Sequence, residues 1–252
     1  MRLSIGVAGK GGTGKTTICG MLIRFMIENN MKPVLAVDAD SNTNLNEVLG
    51  LEVRETIGDA REEMKRGVDI GMTKDMFIEM KIEQAIVEAD GYDLIAMGRP
   101  EGPGCYCAAN HLLTRFLDRL IKNYRYIVID NEAGMEHISR LTTNNIDLLF
   151  IISDPTRRGI LSAKRILELT DTLGLNIKEK FLIVNQIREE QRDIIEENIN
   201  ETSLRLAGFI SEDRKIRELD LRGRSIFDLN EDDPSLKDAY NIFKKILLNN
   251  NI

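Results

Sequence analysis

Leu3-Ser4-Ile5-Gly6-Val7-Ala8-Gly9-Lys10-Gly11-Gly12-Thr13-Gly14-Lys15-Thr16-Thr17, running on into Ile18, Met21, Leu22, Phe25 and Met26, carries most of the information about this chain's fold. An apolar run, a glycine-rich turn and an apolar helical repeat follow one another in the order strand, phosphate-binding loop, helix. Residues 9–16 fit G-x-x-x-x-G-K-[ST]. Glycines let successive backbone N–H groups converge on a phosphate, and the N-terminus of the next helix adds partial positive charge. In such a loop Lys15 bridges the β- and γ-phosphates and the Thr16 hydroxyl ligates Mg²⁺. Gly9, Lys10, Gly11, Gly12, Thr13, Gly14 and Thr17 complete the expected cradle.

Further apolar, β-branched runs recur at residues 34–37, 92–97, 126–129, 148–152 and 181–184, with another at 206–210. Alternating with helical patterns, they read as strands covered on both faces of a parallel sheet. Helical spacing is plain at Ala109, Leu112, Leu113, Phe116, Leu117, Leu120 and Ile121, and again at Ile160, Ala163, Ile166, Leu167 and Thr170. The expectation is an α/β fold: a doubly wound, mostly parallel sheet with helices on both faces, in a single domain over residues 1–252. Residues 52–91 read as helices through Met64, Met72, Met76, Met80, Ile82, Ile86 and Val87, with the methionines as core rather than a pliable partner surface. Residues 249–251 read as a frayed tail.

The 252 residues include 41 Asp and Glu against 34 Lys and Arg, a net charge of −7. That balance argues against a chain that blankets nucleic acid or anionic lipid. Three cysteines are too few for a disulfide scaffold, and no apolar run approaches the roughly 18 residues that span a membrane. The first residues run straight into a strand rather than a cleavable signal, so the expected compartment is the cytoplasm.

Two more features carry chemistry. Val37-Asp38-Ala39-Asp40 and Ile129-Asp130 place carboxylates at strand ends, where open α/β sheets bind ligands. Gly102-Pro103-Gly104-Cys105-Tyr106-Cys107 precedes a helix opening near Ala108, which lowers thiol pKa and leaves both sulfurs accessible. Two thiols one residue apart supply half of a four-thiolate set, and a symmetric dimer would bring the other half. Such a site suits tetrahedral Zn²⁺ or square-planar Ni²⁺. The alternatives are two free thiols or a strained small-ring disulfide. Cys19, beside Ile18 and Leu22, reads as a small core residue.

Lys10-Gly11-Gly12-Thr13-Gly14-Lys15-Thr16 resembles the deviant Walker A motif of the P-loop ATPases that include the nitrogenase iron protein, partition and division-site ATPases and metal-insertion ATPases. The resemblance implies ATP or ADP held between two subunits, with Lys10 contacting phosphates across the interface. It implies catalytic roles for Lys10, Lys15 and Asp40, the last positioning or activating the attacking water. Asp38, Asp40 and Asp130 would serve Mg²⁺ directly or through water, and Asn131-Glu132-Ala133-Gly134 would form switch II, its Gly134 amide sensing the γ-phosphate. Asn185 would meet the purine and residues 210–213 would line the base pocket. Asn185 is followed by Gln186, Ile187 and Arg188, so the guanine-reading Asn-Lys-x-Asp is missing and adenine is favoured.

Arg99-Pro100-Glu101-Gly102-Pro103-Gly104-Cys105-Tyr106-Cys107, with Asp130-Asn131-Glu132-Ala133-Gly134-Met135-Glu136-His137, is similar to the nickel-insertion ATPases that mature carbon monoxide dehydrogenase and acetyl-CoA synthase. The likeness covers essentially the whole chain. It implies a homodimer that holds Ni²⁺ between subunits at Cys105 and Cys107, delivers it to an apo-enzyme under ATP control, and hydrolyses ATP slowly alone. His111, one helical turn after Cys107, and His137 read as structural or solvated histidines, with metal ligation the alternative. An iron–sulfur electron donor would want one cysteine from each of two separated loops, whereas here both interface candidates share one loop. A partition or positioning ATPase acting on membrane or DNA would want a basic amphipathic C-terminus, yet residues 236–252 carry only Lys237, Lys244 and Lys245 against Asp238.

Overall fold

In the computed structural model, which describes residues 2–67, 71–98, 117–131 and 145–249, β1 (Leu3–Gly9) turns through the glycines into α1 (Lys15–Glu28). Then come β2 (Val34–Ala39), α2 (Leu45–Leu49), α3 (Ile57–Arg66), α4 (Lys74–Ala85), β3 (Ile86–Ala89), β4 (Tyr92–Ala96) and β5 (Tyr126–Asn131). The chain continues through β6 (Asn145–Ser153), α5 (Arg157–Thr172), β7 (Asn176–Ile187), α6 (Arg192–Asn200), β8 (Leu206–Ser211), α7 (Arg214–Leu221) and α8 (Pro234–Phe243). The strands form one sheet in the order β3-β4-β2-β5-β1-β6-β7-β8, parallel except for β3, which runs antiparallel to β4.

Both faces of the sheet are covered, which is why the strands read as continuous apolar runs. On one face Ile5, Val7, Val34, Ala36, Phe150, Ile152, Phe181 and Ile183 pack under α1 and α8. On the other, their neighbours Leu35, Val37, Ile127 and Ile129 meet α3 and α4, while Leu149, Ile151, Leu182 and Val184 meet α5 and α6. Helix α1 is wrapped by protein, and Cys19 is fully buried in it. Arg24 is buried there too: its Nη1 donates to the carbonyls of Ile226 (3.1 Å) and Leu229 (2.8 Å) and its Nε to Glu28 (2.8 Å). Leu236, Ala239, Ile242, Phe243 and Ile246 of α8 and the π-helical turn after it are buried, with Tyr240 edge-on to Phe25 at 5.2 Å. The last helix thus packs on the sheet.

The helical reading of residues 52–91 holds for α3 and α4 and fails at Ile86 and Val87. These belong to β3, an edge strand that pairs with β4 through a two-residue link, Asp90-Gly91, with Gly91 at φ 87°. An Asp-Gly pair between apolar runs is a hairpin signal, outweighed here by the helical spacing that runs through Met80 and Ile82. Met64, Met72 and Met80 pack on the core, whereas Met76 is 56% exposed. Of the helix read over residues 109–121, the described part is helical from Leu117 and ends in a 3₁₀ turn, Ile121–Asn123, with Leu117 and Ile121 buried. Cys105, Cys107 and His111, and Glu132 to His137 with Gly134, lie outside the described residues. Among the described residues no helix is long and apolar enough to cross a membrane.

Candidate nucleotide site

The phosphate loop lies at the C-terminal end of the sheet, flanked by the ends of β2, β5, β6 and β7. Gly14 opens α1 in the left-handed region at φ 86°, and a Cβ there would stand 2.4 Å from Asn185 Nδ2. That amide nitrogen donates to the Thr13 carbonyl at 2.9 Å, so the strand-end asparagine braces the loop. Inside the loop the Thr13 hydroxyl donates to the Lys10 carbonyl at 2.9 Å, and the buried Lys15 Nζ reaches the same oxygen at 3.4 Å. Lys10 itself is exposed.

Asp38 and Asp130 sit opposite each other in the β2–β5 register, both buried. Asp38 accepts from the backbone N–H of Asp40 (3.1 Å) and Leu45 (2.9 Å), closing the loop that carries Asp40. Burial raises its carboxyl to about 6 despite those donors. Asp130 is raised further, to about 7, by burial, with the Asp38 charge adding and the Thr16 hydroxyl and Lys15 opposing. Among the described residues neither Asp130 oxygen has a partner at hydrogen-bonding geometry. Asp40 is half-buried, accepts from Asn42 N–H at 2.8 Å, and faces the groove. Asn131 donates across to the Val7 carbonyl at 2.9 Å, pinning β5 to β1 beneath the loop. Cys19 lies against Asp130: burial, then that carboxylate, pushes its thiol well up.

A buried, unpartnered carboxylate costs free energy unless a cation or donor meets it. Oxygen donors from Thr16 and Asp130 suit Mg²⁺, a hard ion usually held by one or two carboxylates with phosphate and water completing the shell. Among the described residues no three Asp, Glu, His or Cys side chains converge on one point.

From the loop a groove of about 1080 Å³ runs past Thr17, Asn185 and Gln186 to residues 211–224. Its far wall is built by a network: Ser211 N–H and Oγ donate to Asp238 (3.0 and 2.6 Å), Ser235 Oγ donates to Asp213 (2.9 Å), and Asp213 caps α7. Lys15, Thr16, Asp40 and Asn185 are brought to this groove together with Gly11, Gly12, Gly14 and Thr17, and Asp38 and Asp130 lie buried at the strand ends behind the loop. Sequence reasoning missed Gln186 and the α7 side chains that also line it. For Gln186 the available signal was its place directly after Asn185.

The sequence profile of the CobQ/CobB/MinD/ParA nucleotide binding domain matches residues 5–226. An uncharacterised ATP-binding protein of Methanocaldococcus jannaschii is 41% identical over 248 residues, covering 96% of this chain and 98% of its own. The carbon monoxide dehydrogenase accessory protein CooC of Rhodospirillum rubrum is 32% identical over 274 residues, covering 98% and 96%. The cell division protein MinD of Aquifex aeolicus superposes with a TM-score of 0.73 at 23% identity over 100% of this chain and 98% of that one. MinD of Pyrococcus horikoshii, solved with Mg-ADP, gives 0.71 at 20% identity over 99% and 98%. The braced phosphate loop and the paired strand-end carboxylates therefore sit where profile and fold agree, and the chain belongs to the CobQ/CobB/MinD/ParA family of ATP-binding P-loop domains.

Proposed function

We propose that this chain is an ATPase that works as a homodimer to hold Ni²⁺ and hand it to apo carbon monoxide dehydrogenase or acetyl-CoA synthase. The observation that carries the ATPase part is Asp130, buried beside Thr16 and Lys15 behind a loop of phosphate-binding shape, with no partner at hydrogen-bonding geometry among the described residues. The metal part is supported by Cys105-Tyr106-Cys107 and by the likeness to a relative named as an accessory protein of carbon monoxide dehydrogenase.

Each group has a physical task. Backbone N–H groups of the loop and Lys15 bind and orient the phosphates, and Asn185 meets the base. Thr16 and Asp130, with Asp38 behind them, would hold Mg²⁺, which neutralises phosphate charge when bound. Asp40 holds the attacking water by accepting its hydrogen bond, and the γ-phosphoryl passes to that water as ADP departs. Lys10, exposed on the loop, reaches the nucleotide of the partner subunit. The nickel ion is cargo, shared by the Cys105 and Cys107 pairs of two chains.

Removing the water-holding carboxylate should therefore trap the ATP-bound dimer. With Mg-ATP, Asp40→Ala is expected to sediment as a dimer and to hydrolyse at least about 100-fold more slowly than wild type. Adding Lys10→Ala should return it to monomer while ATP still binds. A protein that stays monomeric at saturating ATP, with turnover unaffected by Asp40→Ala, contradicts the reading.

The likeness to MinD favours a second reading, a partition or positioning ATPase. Against a membrane-anchoring version stands the apolar face of α8, which is buried against the sheet face that α1 also covers.

A further inference from the structure

β7 contains an irregularity with a chemical consequence. Val184 and Ile187 are both buried in the same core cluster although they stand three positions apart, an odd spacing that a regular strand places on opposite faces. The β7–β8 register slips between them, and Gln186 takes φ 61°, a left-handed conformation costly for a residue with a side chain. The bulge turns Asn185 and Gln186 together toward the groove. Asn185 already gives one amide hydrogen to the Thr13 carbonyl. Gln186 is exposed on the groove wall, its Nε2 4.0 Å from where a Gly14 Cβ would stand, and no hydrogen bond fixes its carboxamide among the described residues. Strain kept at a ligand-lining residue calls for a return from the ligand.

We infer that Gln186 is a base-reading residue whose carboxamide pairs with the 6-amino/N7 edge of adenine, accepting from the amino group and donating to N7. This rests on the reading of the groove as a nucleotide site and adds to it the residue that sets purine selectivity. Adenine presents one donor and one acceptor on that edge, matching a carboxamide, whereas guanine presents two acceptors, O6 and N7. A carboxamide satisfies only one of guanine's two atoms and turns its own oxygen toward the other.

The test uses Gln186→Gly in the full chain, because glycine accepts φ 61° and removes the side chain without straining the backbone. Affinities for ATP, 7-deaza-ATP and GTP are measured by calorimetry with Mg²⁺ present, beside a thermal melt. Gln186→Gly should melt at or above the wild-type temperature. It should bind ATP about tenfold more weakly, a loss within the range of one bidentate carboxamide–base pair, with GTP changed less than twofold. Wild type should bind 7-deaza-ATP more weakly than ATP, and the variant should bind the two alike. ATP affinity unchanged in Gln186→Gly, or ATP and GTP weakened equally, overturns the assignment while leaving the nucleotide site intact. Wild type that binds no nucleotide at all overturns the reading beneath it.

Discussion

Asp130→Asn should make the nucleotide-free protein more stable and at the same time nearly inactive. The Asp130 carboxyl is raised to about 7 in the folded chain, against an ordinary aspartate value of 3.8, chiefly by burial, which outweighs the opposing Thr16 hydroxyl and Lys15. The sign follows. Between about pH 4 and pH 7 the unfolded chain has lost a proton that the folded chain keeps, so stability falls as pH rises through that window and then levels off. Asp38, raised to about 6, falls in the same direction over a narrower range. The neutral asparagine carries none of the Asp130 penalty, though its amide must find a partner of its own. The expected gain is on the order of 2 kcal/mol at pH 8, vanishing or reversing near pH 5 where the aspartic acid is already neutral. Mg²⁺-dependent ATP turnover should drop by about 10² to 10³, the usual effect of deleting one fixed charge-stabilising group at a reaction centre. Urea midpoints at pH 5 and pH 8, read beside phosphate release, check both halves. A variant no more stable than wild type at pH 8 contradicts the placement of Asp130 as a buried carboxylate with a raised pKa.

Gly14→Ala should cost both fold and function. An alanine at φ 86° bears left-handed strain of about 1 to 2 kcal/mol, and its Cβ would stand 2.4 Å from Asn185 Nδ2, breaking that residue's bond to Thr13. Together these give an expected loss of about 2 to 4 kcal/mol and at least a hundredfold weaker ATP binding. The two causes separate in a cycle. Asn185→Ala removes the crowding and leaves the backbone strain, so Gly14→Ala in that background should cost about 1 to 2 kcal/mol less than in wild type. Strict additivity in urea denaturation would mean that Asn185 does not brace the loop.

Much of this was legible in the chain itself. The core strands were readable because burial on both faces selects unbroken runs such as Leu148 to Ile152, and the phosphate loop because its glycines, lysine and threonine sit between a strand and a helix. Edge and register features were not. Ile86 and Val87 continue a helical spacing, and only the Asp90-Gly91 link signals the hairpin. The bulge that exposes Gln186 is a mismatch between two strands and so has no sequence period of its own. Arg24 looks like a helix-surface residue, yet its partners are carbonyls 202 and 205 residues away. Cys19 reads correctly as core, but its contact with Asp130 depends on how α1 crosses β5.

On the proposed function, two chains join around ATP and share one nickel ion through Cys105 and Cys107. Equilibrium dialysis against Ni²⁺ in the presence of Mg-ATP, comparing wild type with Cys105→Ser/Cys107→Ser, tests it most directly. About one nickel ion per two wild-type chains, and none retained by the double variant, is the predicted result, since losing both thiolates of each chain leaves no sulfur ligand in the shared site. Unchanged nickel binding in the double variant would contradict it.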